Sequence, residues 1–384
     1  MFNLSVVILF LIALVGLALE IHYRSRPGNR LALVMQDWDI NTSDSQHYCL
    51  TGELELQNQT QRFEIMVPEV SAEVQLLSKE SLDGITWSAK VIAAHPDEPA
   101  RPDNYWFAYI VKRKPTRLKL VVQIQGENLS ALRTAWVKVH YITYGPQGRI
   151  PKTHHIISPL QFPQVNDLPQ PRETEVAQVF PVRTHLLTKL DDPVEVVKRY
   201  VVPHAQPGDI VTLGETPLAL IQGRFRHPTD VKPGWVATRI CLFFLPTSSL
   251  ATACGMQTLI DLVGPVRVIF DFVGGVIGKV LKKPGMFYEL AGEQARLIDD
   301  VTGTLPPFDQ FIVLGPEQPQ QVVDKIQQET GLGAAIVDVN DLKAVKILAA
   351  THDLSQSLLE QALRSNPAGN ADEQTPLVLI RPLS

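Results

Sequence analysis

Cysteine is scarce in this chain, and a long uninterrupted hydrophobic run occurs at one place only. The three cysteines, Cys49, Cys241 and Cys254, are far apart in 384 residues. An odd, sparse set excludes a disulfide framework and any cysteine-based metal spacing, and it fits a reducing compartment. Charge is also modest: 20% of residues are charged, with a formal net charge of -5. That balance leaves no basic footprint for nucleic acid. Phosphate-cradling loops are missing too. Gly274-Gly275-Val276-Ile277-Gly278-Lys279 has the wrong spacing for a P-loop and no Ser or Thr after the lysine. Gly331-Leu332-Gly333 lacks the third glycine of a dinucleotide fingerprint.

The hydrophobic run lies at the N-terminus. Phe2 to Leu19 carries no charge, and Arg24, Arg26 and Arg30 follow it. Its length is near the ~20 residues that cross a bilayer core. A cleaved export signal would place positive charge before the apolar run and small residues at its end. Met1-Phe2-Asn3 has no such charge, and Ala18-Leu19-Glu20 is a poor cleavage site. The positive-inside rule then predicts a retained single-pass anchor with the large C-terminal part cytoplasmic. Met256 to Leu281 is apolar as well, but Asp261, Arg267, Asp271 and Gly264-Pro265 interrupt it. It is expected to be no second span, because charges in lipid are costly. Within it, Gly274 and Gly278 have the small-xxx-small spacing that lets backbones approach closely.

The body is expected to be α+β: an N-terminal transmembrane helix, a small β-sandwich domain, then a mixed α/β domain. The boundaries are 1–30 for the anchor and its basic flank, 31–160 for the sandwich, 161–179 for a Pro-rich linker and 180–384 for the last domain. Short strands are expected at Leu54–Leu56, Phe63–Val67, Trp106–Val111, Leu118–Ile124 and Ala135–Tyr141, with turn clusters between them. That spacing points to an immunoglobulin-like or related sandwich. The tryptophans there are expected in the core. Pro159, Pro163, Pro169 and Pro171 favour an extended linker. Beyond it, Asp192 and Pro193 suit the cap and first position of a helix running to Tyr200. Gly208–Leu213 and Leu218–Gly223 are both expected as strands. Helices are expected at Gln318–Thr330 and Leu354–Leu363.

Two apolar runs near the C-terminus end in carboxylates and amides. Ala334–Val337 leads into Asp338-Val339-Asn340-Asp341, and Asp372-Glu373-Gln374-Thr375-Pro376 leads into Leu377–Ile380. Strand ends are where α/β proteins place ligand chemistry. Oxygen-rich clusters suit hard cations, and such residues also make ordinary solvated turns.

From about residue 180 to 384 the chain resembles the coenzyme F-420-0:γ-glutamyl ligase family. The carrying segments are Pro181-Val182-Arg183-Thr184, Gly208-Asp209-Ile210-Val211, Gly223-Arg224, Ala253-Cys254-Gly255-Met256-Gln257, Gly285-Met286-Phe287-Tyr288, and the two carboxylate clusters. The resemblance implies condensation of glutamate onto a deazaflavin precursor with GTP and a divalent metal. It departs where the family has Asp-Thr-x-Gly-Arg-Pro, since the chain offers Asp338-Val339-Asn340-Asp341-Leu342, and no Asp-x-Ser-Asn segment is present. By this reading Asp338, Asp341 and Glu373 are expected to hold Mg²⁺ or Mn²⁺. Arg183, Thr184, Asn340, Gly369 and Gln374 are expected to hold substrate or nucleotide, GTP or ATP, because Arg forks onto carboxylate or phosphate. Two functions stay open: a membrane-anchored amide ligase, and a non-catalytic binding or assembly module with a protein partner on its β-sandwich. A homodimer also stays open.

Overall fold

The computed structural model describes residues 4–24, 29–60, 63–165, 170–283, 285–300, 305–339, 343–369 and 373–383. The chain divides into two compact units. The first comprises Met1–Val74, Ile85–Glu127 and Lys138–His155. The second comprises Gln75–Gly84, Asn128–Val137 and Ile156–Ser384.

The chain opens with helix α1 (Leu4–Arg24), followed by strands β1 (Leu31–Asp44), β2 (His47–Asn58), β3 (Ile65–Ser78) and β4 (Thr86–Ala94). Then come β5 (Tyr109–Val111), β6 (Thr116–Gln125), β7 (Leu132–Gly145) and β8 (Gly148–Pro159). Within α1, Ser5–Tyr23 is long and apolar enough to cross a membrane, the one such helix among the described residues. The strands form two four-stranded sheets, ordered β1-β2-β6-β4 and β5-β3-β7-β8. In β6 the period-2 pattern is plain: Leu118, Leu120, Val122 and Ile124 are buried, while Arg117, Lys119 and Gln123 are exposed. Leu54 lies opposite Leu118 and Leu50 opposite Val122, so one face of the sheet is apolar. Gly52 is needed where Trp38 crosses it. A Cβ there would come within 2.7 Å of the Trp38 ring. Gly148, at φ +76, closes the turn between β7 and β8.

The second unit continues with β9 (Arg172–Glu173), β10 (Ala177–Val182), α2 (Pro193–Tyr200), β11 (Ile210–Gly214), α3 (Glu215–Ile221) and β12 (Phe225–Arg226). A run of helices follows: α4 (Trp235–Ile240), α5 (Ala253–Val263), α6 (Pro265–Val280), α7 (Met286–Ala291) and α8 (Glu293–Leu297). The chain then forms β13 (Asp299–Asp300), β14 (Ile312–Val313), α9 (Pro319–Thr330), β15 (Gly333–Val339), β16 (Val345–Ala350), α10 (Gln356–Leu363) and β17 (Leu377–Pro382). Its principal sheet has the order β16-β15-β11-β17-β10-β9. Strands β11 and β15 are parallel, and β17 runs antiparallel to β11 and β10. Both faces are covered, so the strands read as continuous apolar runs. Val211, Leu213, Ile336 and Leu379 pack with α2 and α9 on one side. Ile210, Ala335, Val378 and Ile380 pack with α10 on the other.

Local chemistry sets several of these elements. Asp192 caps α2 by accepting from the Val194 and Glu195 N–H groups, with Pro193 at the first position, as expected. Leu218–Gly223 forms no strand. Residues Glu215–Ile221 are helical, because Pro217 suits a first helical turn and Leu218 and Ile221 fall on one buried face. Gly264, at φ +89, separates α5 from α6 and precedes Pro265. On α6, a Cβ at Gly275 would meet Phe287 Cβ at 2.8 Å, and one at Gly278 would meet Met286 Cβ at 2.7 Å. The small residues therefore seat α7 closely against α6. The segment expected as a linker is held over residues 161–165. The Gln161 side chain donates to the Ser130 carbonyl, Phe162 lies 4.8 Å from the His185 ring, and the Val165 carbonyl is 2.5 Å from His204 Nε2. Pro169 lies outside the described residues.

Candidate functional site

The strand directions bring four segments to one end of the principal sheet. Strands β10, β11 and β15 finish there, and β17 begins there. Residues Arg183 and Thr184 follow β10, Glu215 follows β11, Asp338 sits near the end of β15, and Gln374 precedes β17. Backbone bonds fix this end. The Thr184 N–H donates to the Gln374 carbonyl at 3.0 Å, and the Gly214 N–H donates to the Pro376 carbonyl at 3.1 Å. A cavity of about 620 Å³ opens between these segments, within the usual size of a small-molecule site.

Acidic side chains dominate the charged lining of the cavity. Glu215, Asp299 and Asp338 line it, and no Lys or Arg does among the described residues. Glu215 is only partly buried as a residue, yet its Oε2 is enclosed without a hydrogen-bond partner. Burial first, and the Asp338 carboxylate second, push the Glu215 carboxyl up to about 8. Asp338 is raised as well, by burial, with Lys346 opposing the shift. Lys346 is the cross-strand neighbour of Asp338 and is also held by Glu293 at 2.7 Å. The buried Thr212 hydroxyl has no hydrogen-bond partner either and lies in the same lining.

One wall of the cavity is braced by a histidine. His185 Nδ1 is 2.7 Å from the Tyr200 hydroxyl, and Nε2 is 2.8 Å from Asp191 Oδ1. Asp191 Oδ2 accepts from the Thr188 N–H at 2.8 Å. Both ring nitrogens are engaged, so His185 positions the segment from Thr184 to Thr188 along the cavity.

Of the residues expected at the site, Asp338, Thr184, Gly369 and Gln374 all line this cavity. Glu373 does not. It is exposed, and its carboxylate lies against Gly369, where a Cβ would meet Oε1 at 2.8 Å. Arg183 is exposed and outside the lining. Asn340 and Asp341 lie outside the described residues. Among the described residues no three His, Cys, Asp or Glu side chains gather as a metal-holding set. The carboxylates that share the cavity with Asp338 are instead Asp299 and Glu215, neither of them expected from the sequence. The signal was present: Ile210–Leu213 is an apolar strand ending in Gly214-Glu215-Thr216, the same pattern as Ala334–Val337 before Asp338.

The comparisons with known proteins bear on the other end of the chain. Residues 32–162 match the family model described as F420-0:gamma-glutamyl ligase, N-terminal Ig-like domain. The N-terminal β domain is thus similar to a domain of that ligase family. The match does not extend to the cavity-bearing segments after residue 162. No curated protein matches the chain. Among solved structures, the crystal structure of the yeast GGA1_GAE domain is 12% identical, covering 35% of this chain and 96% of that chain with a TM-score of 0.20.

Proposed function

We propose that this chain is a membrane-anchored relative of the γ-glutamyl ligases whose second unit binds a nucleotie–metal complex in the Glu215–Asp338 cavity. The observation that carries the reading is that Glu215, whose Oε2 is enclosed without a hydrogen-bond partner, lines the same cavity as Asp338. Two carboxylates held together out of water repel each other, and a divalent cation relieves both the repulsion and the lost hydration. Glu215 and Asp338 would hold the cation. Mg²⁺ keeps several waters and is commonly bound by one or two carboxylates, so the pair suffices. Bound there, the cation would neutralise phosphate charge in a site with no Lys or Arg in the described lining. Thr184 and the backbone at Gly369 would contact the bound anion, and Gln374 would orient its polar groups. An Ig-like β-sandwich in the first unit and a ligase-like second unit complete the reading, with GTP or ATP as the nucleotide and the acceptor acid left open.

A second reading, binding without turnover, is favoured by the exposed position of Arg183. Phosphoryl transfer uses cationic groups against the transferring phosphate, and Arg183 lies outside the cavity lining. A thermal-shift series on the whole chain in detergent tests both. A cation should raise the melting temperature alone, and GTP or ATP should raise it only when Mg²⁺ or Mn²⁺ is present. A ligand at a hundredfold excess over Kd adds about 2.7 kcal/mol of stability. Asp338→Asn should keep the fold and lose the metal-dependent nucleotide shift. A nucleotide shift that needs no metal, or survives Asp338→Asn, rejects the cavity reading. Binding with no phosphate release on adding glutamate supports the second reading over the first.

A further inference from the structure

The helical region of the second unit presents an apolar face to solvent. Along α6, Val266, Ile269, Phe270, Val273, Ile277 and Val280 are all exposed. They recur at three- and four-residue intervals, so they share one face of the helix. Val268, Asp271 and Gly278 are buried on the opposite face, toward α7. The helix therefore has one buried face and a second, apolar face turned to solvent, which an ordinary surface helix does not.

Further exposed apolar side chains lie on the segment before α5, which touches α6 through one ring pair. Phe243 lies 5.1 Å, ring to ring, from Phe272 on α6. Phe243 and Phe270 are each 72% exposed, as is Trp235, and Val280 is 78% exposed. Leu242 and Leu245 extend the same segment. Exposed aromatic and aliphatic groups in this number mark a surface made to be covered.

Charge says what covers it. Between Lys232 and Lys283 the chain has six basic residues and only two acidic ones. Both acids are engaged: Asp261 pairs with Arg226 at 2.6 Å, and Asp271 is buried 3.7 Å from Arg267. Lys279, Lys282 and Lys283 are exposed together at the end of α6. An apolar stripe with three lysines at its C-terminal end, together with an exposed tryptophan and aromatics, matches the composition of a helix lying in a lipid headgroup layer. The same chain carries a helix long enough to span a bilayer.

We propose that this face docks on an anionic lipid surface, with α6 lying in the interface and Lys279, Lys282 and Lys283 contacting lipid phosphates. The inference is independent of the cavity reading, since none of these residues lines the cavity. It is tested with the full chain reconstituted in phosphatidylcholine vesicles, with and without phosphatidylserine, carrying brominated acyl chains. Trp235 supplies the signal, obtained as the difference between the native chain and Trp235→Phe. Bromolipid should quench Trp235, more strongly with phosphatidylserine present. The double variant Phe270→Glu, Ile277→Glu alters exposed positions only, so it should keep its circular dichroism spectrum and lose that quenching. Triple replacement of Lys279, Lys282 and Lys283 by Ser should remove the phosphatidylserine dependence. Unquenched Trp235, or quenching unchanged in the double variant, overturns the proposal. So does a dimer that the double variant splits while Trp235 stays unquenched, which would make a second copy the occupant.

Discussion

At the scale of single residues, the informative group is Glu215. Its carboxyl is pushed up to about 8 by burial and then by Asp338, whereas an unfolded chain releases the same proton at about 4.5. Between those two values the folded protein holds a proton that the unfolded chain has lost. Stability therefore falls as pH rises through that window and levels off above about 8. Melting temperatures measured across the window should decline less steeply in Glu215→Gln than in the native chain. Mg²⁺ should restore stability at the alkaline end in the native chain and not in the variant. An unchanged slope in Glu215→Gln would sink this assignment. Asp338 was legible in the sequence because a carboxylate at the end of an apolar run is a recognisable pattern. Glu215 ends a similar run, but a strand expected over Leu218–Gly223 leaves no helix for Glu215 to begin. The exposure of Glu373 was not legible at all, since it depends on how the chain turns at Gly369, at φ +66.

Elements were read in proportion to how much of their structure is local. The cap of α2 depends on Asp192 and Pro193 alone, and both did what their chemistry dictates. Helices α9 and α10 follow from apolar spacing, and Ser355 caps α10 by accepting from the Leu358 N–H. Short apolar runs are different, because a four-residue run fits a buried strand and a buried helix equally well. The Gly274–Gly278 spacing announced a close approach, but its partner α7 is set by tertiary packing. Helix α1 makes a prediction at this scale. Its apolar stretch, Ser5–Tyr23, followed by Arg24, is proposed to stay attached and hold the body on the cytoplasmic side. Sequencing of the mature N-terminus should find the stretch intact, and protease added outside should spare the large domains. A mature chain starting beyond residue 23, or the full chain recovered in the soluble fraction, rejects this.

For the whole molecule, sequence order suggested a simple succession of anchor, β domain, linker and ligase-like domain. The β-then-mixed order is visible in the elements, and the Ig-like match covers the first part. The compact units, however, do not follow chain order. Gln75–Gly84 and Asn128–Val137 belong with the second unit, a pairing that no local pattern could announce. Trp136 is the clearest case. It is 1% exposed and packs in a cluster with Leu186, Leu220, Phe308 and Phe311. Its ring lies 5.5 Å from that of Phe311. A fragment of residues 180–384 keeps the cavity-lining residues but lacks this side chain and the segments around it. Losing a buried aromatic side chain from a core costs about 3–5 kcal/mol. That is a large part of the ~5–15 kcal/mol by which domains are stable. The fragment should therefore melt well below the corresponding transition of the full chain and bind a hydrophobic dye at room temperature. A chain of residues 29–384, which retains Trp136, should do neither. If the 180–384 fragment melted where the longer chain does, Trp136 would not be part of the second unit's core.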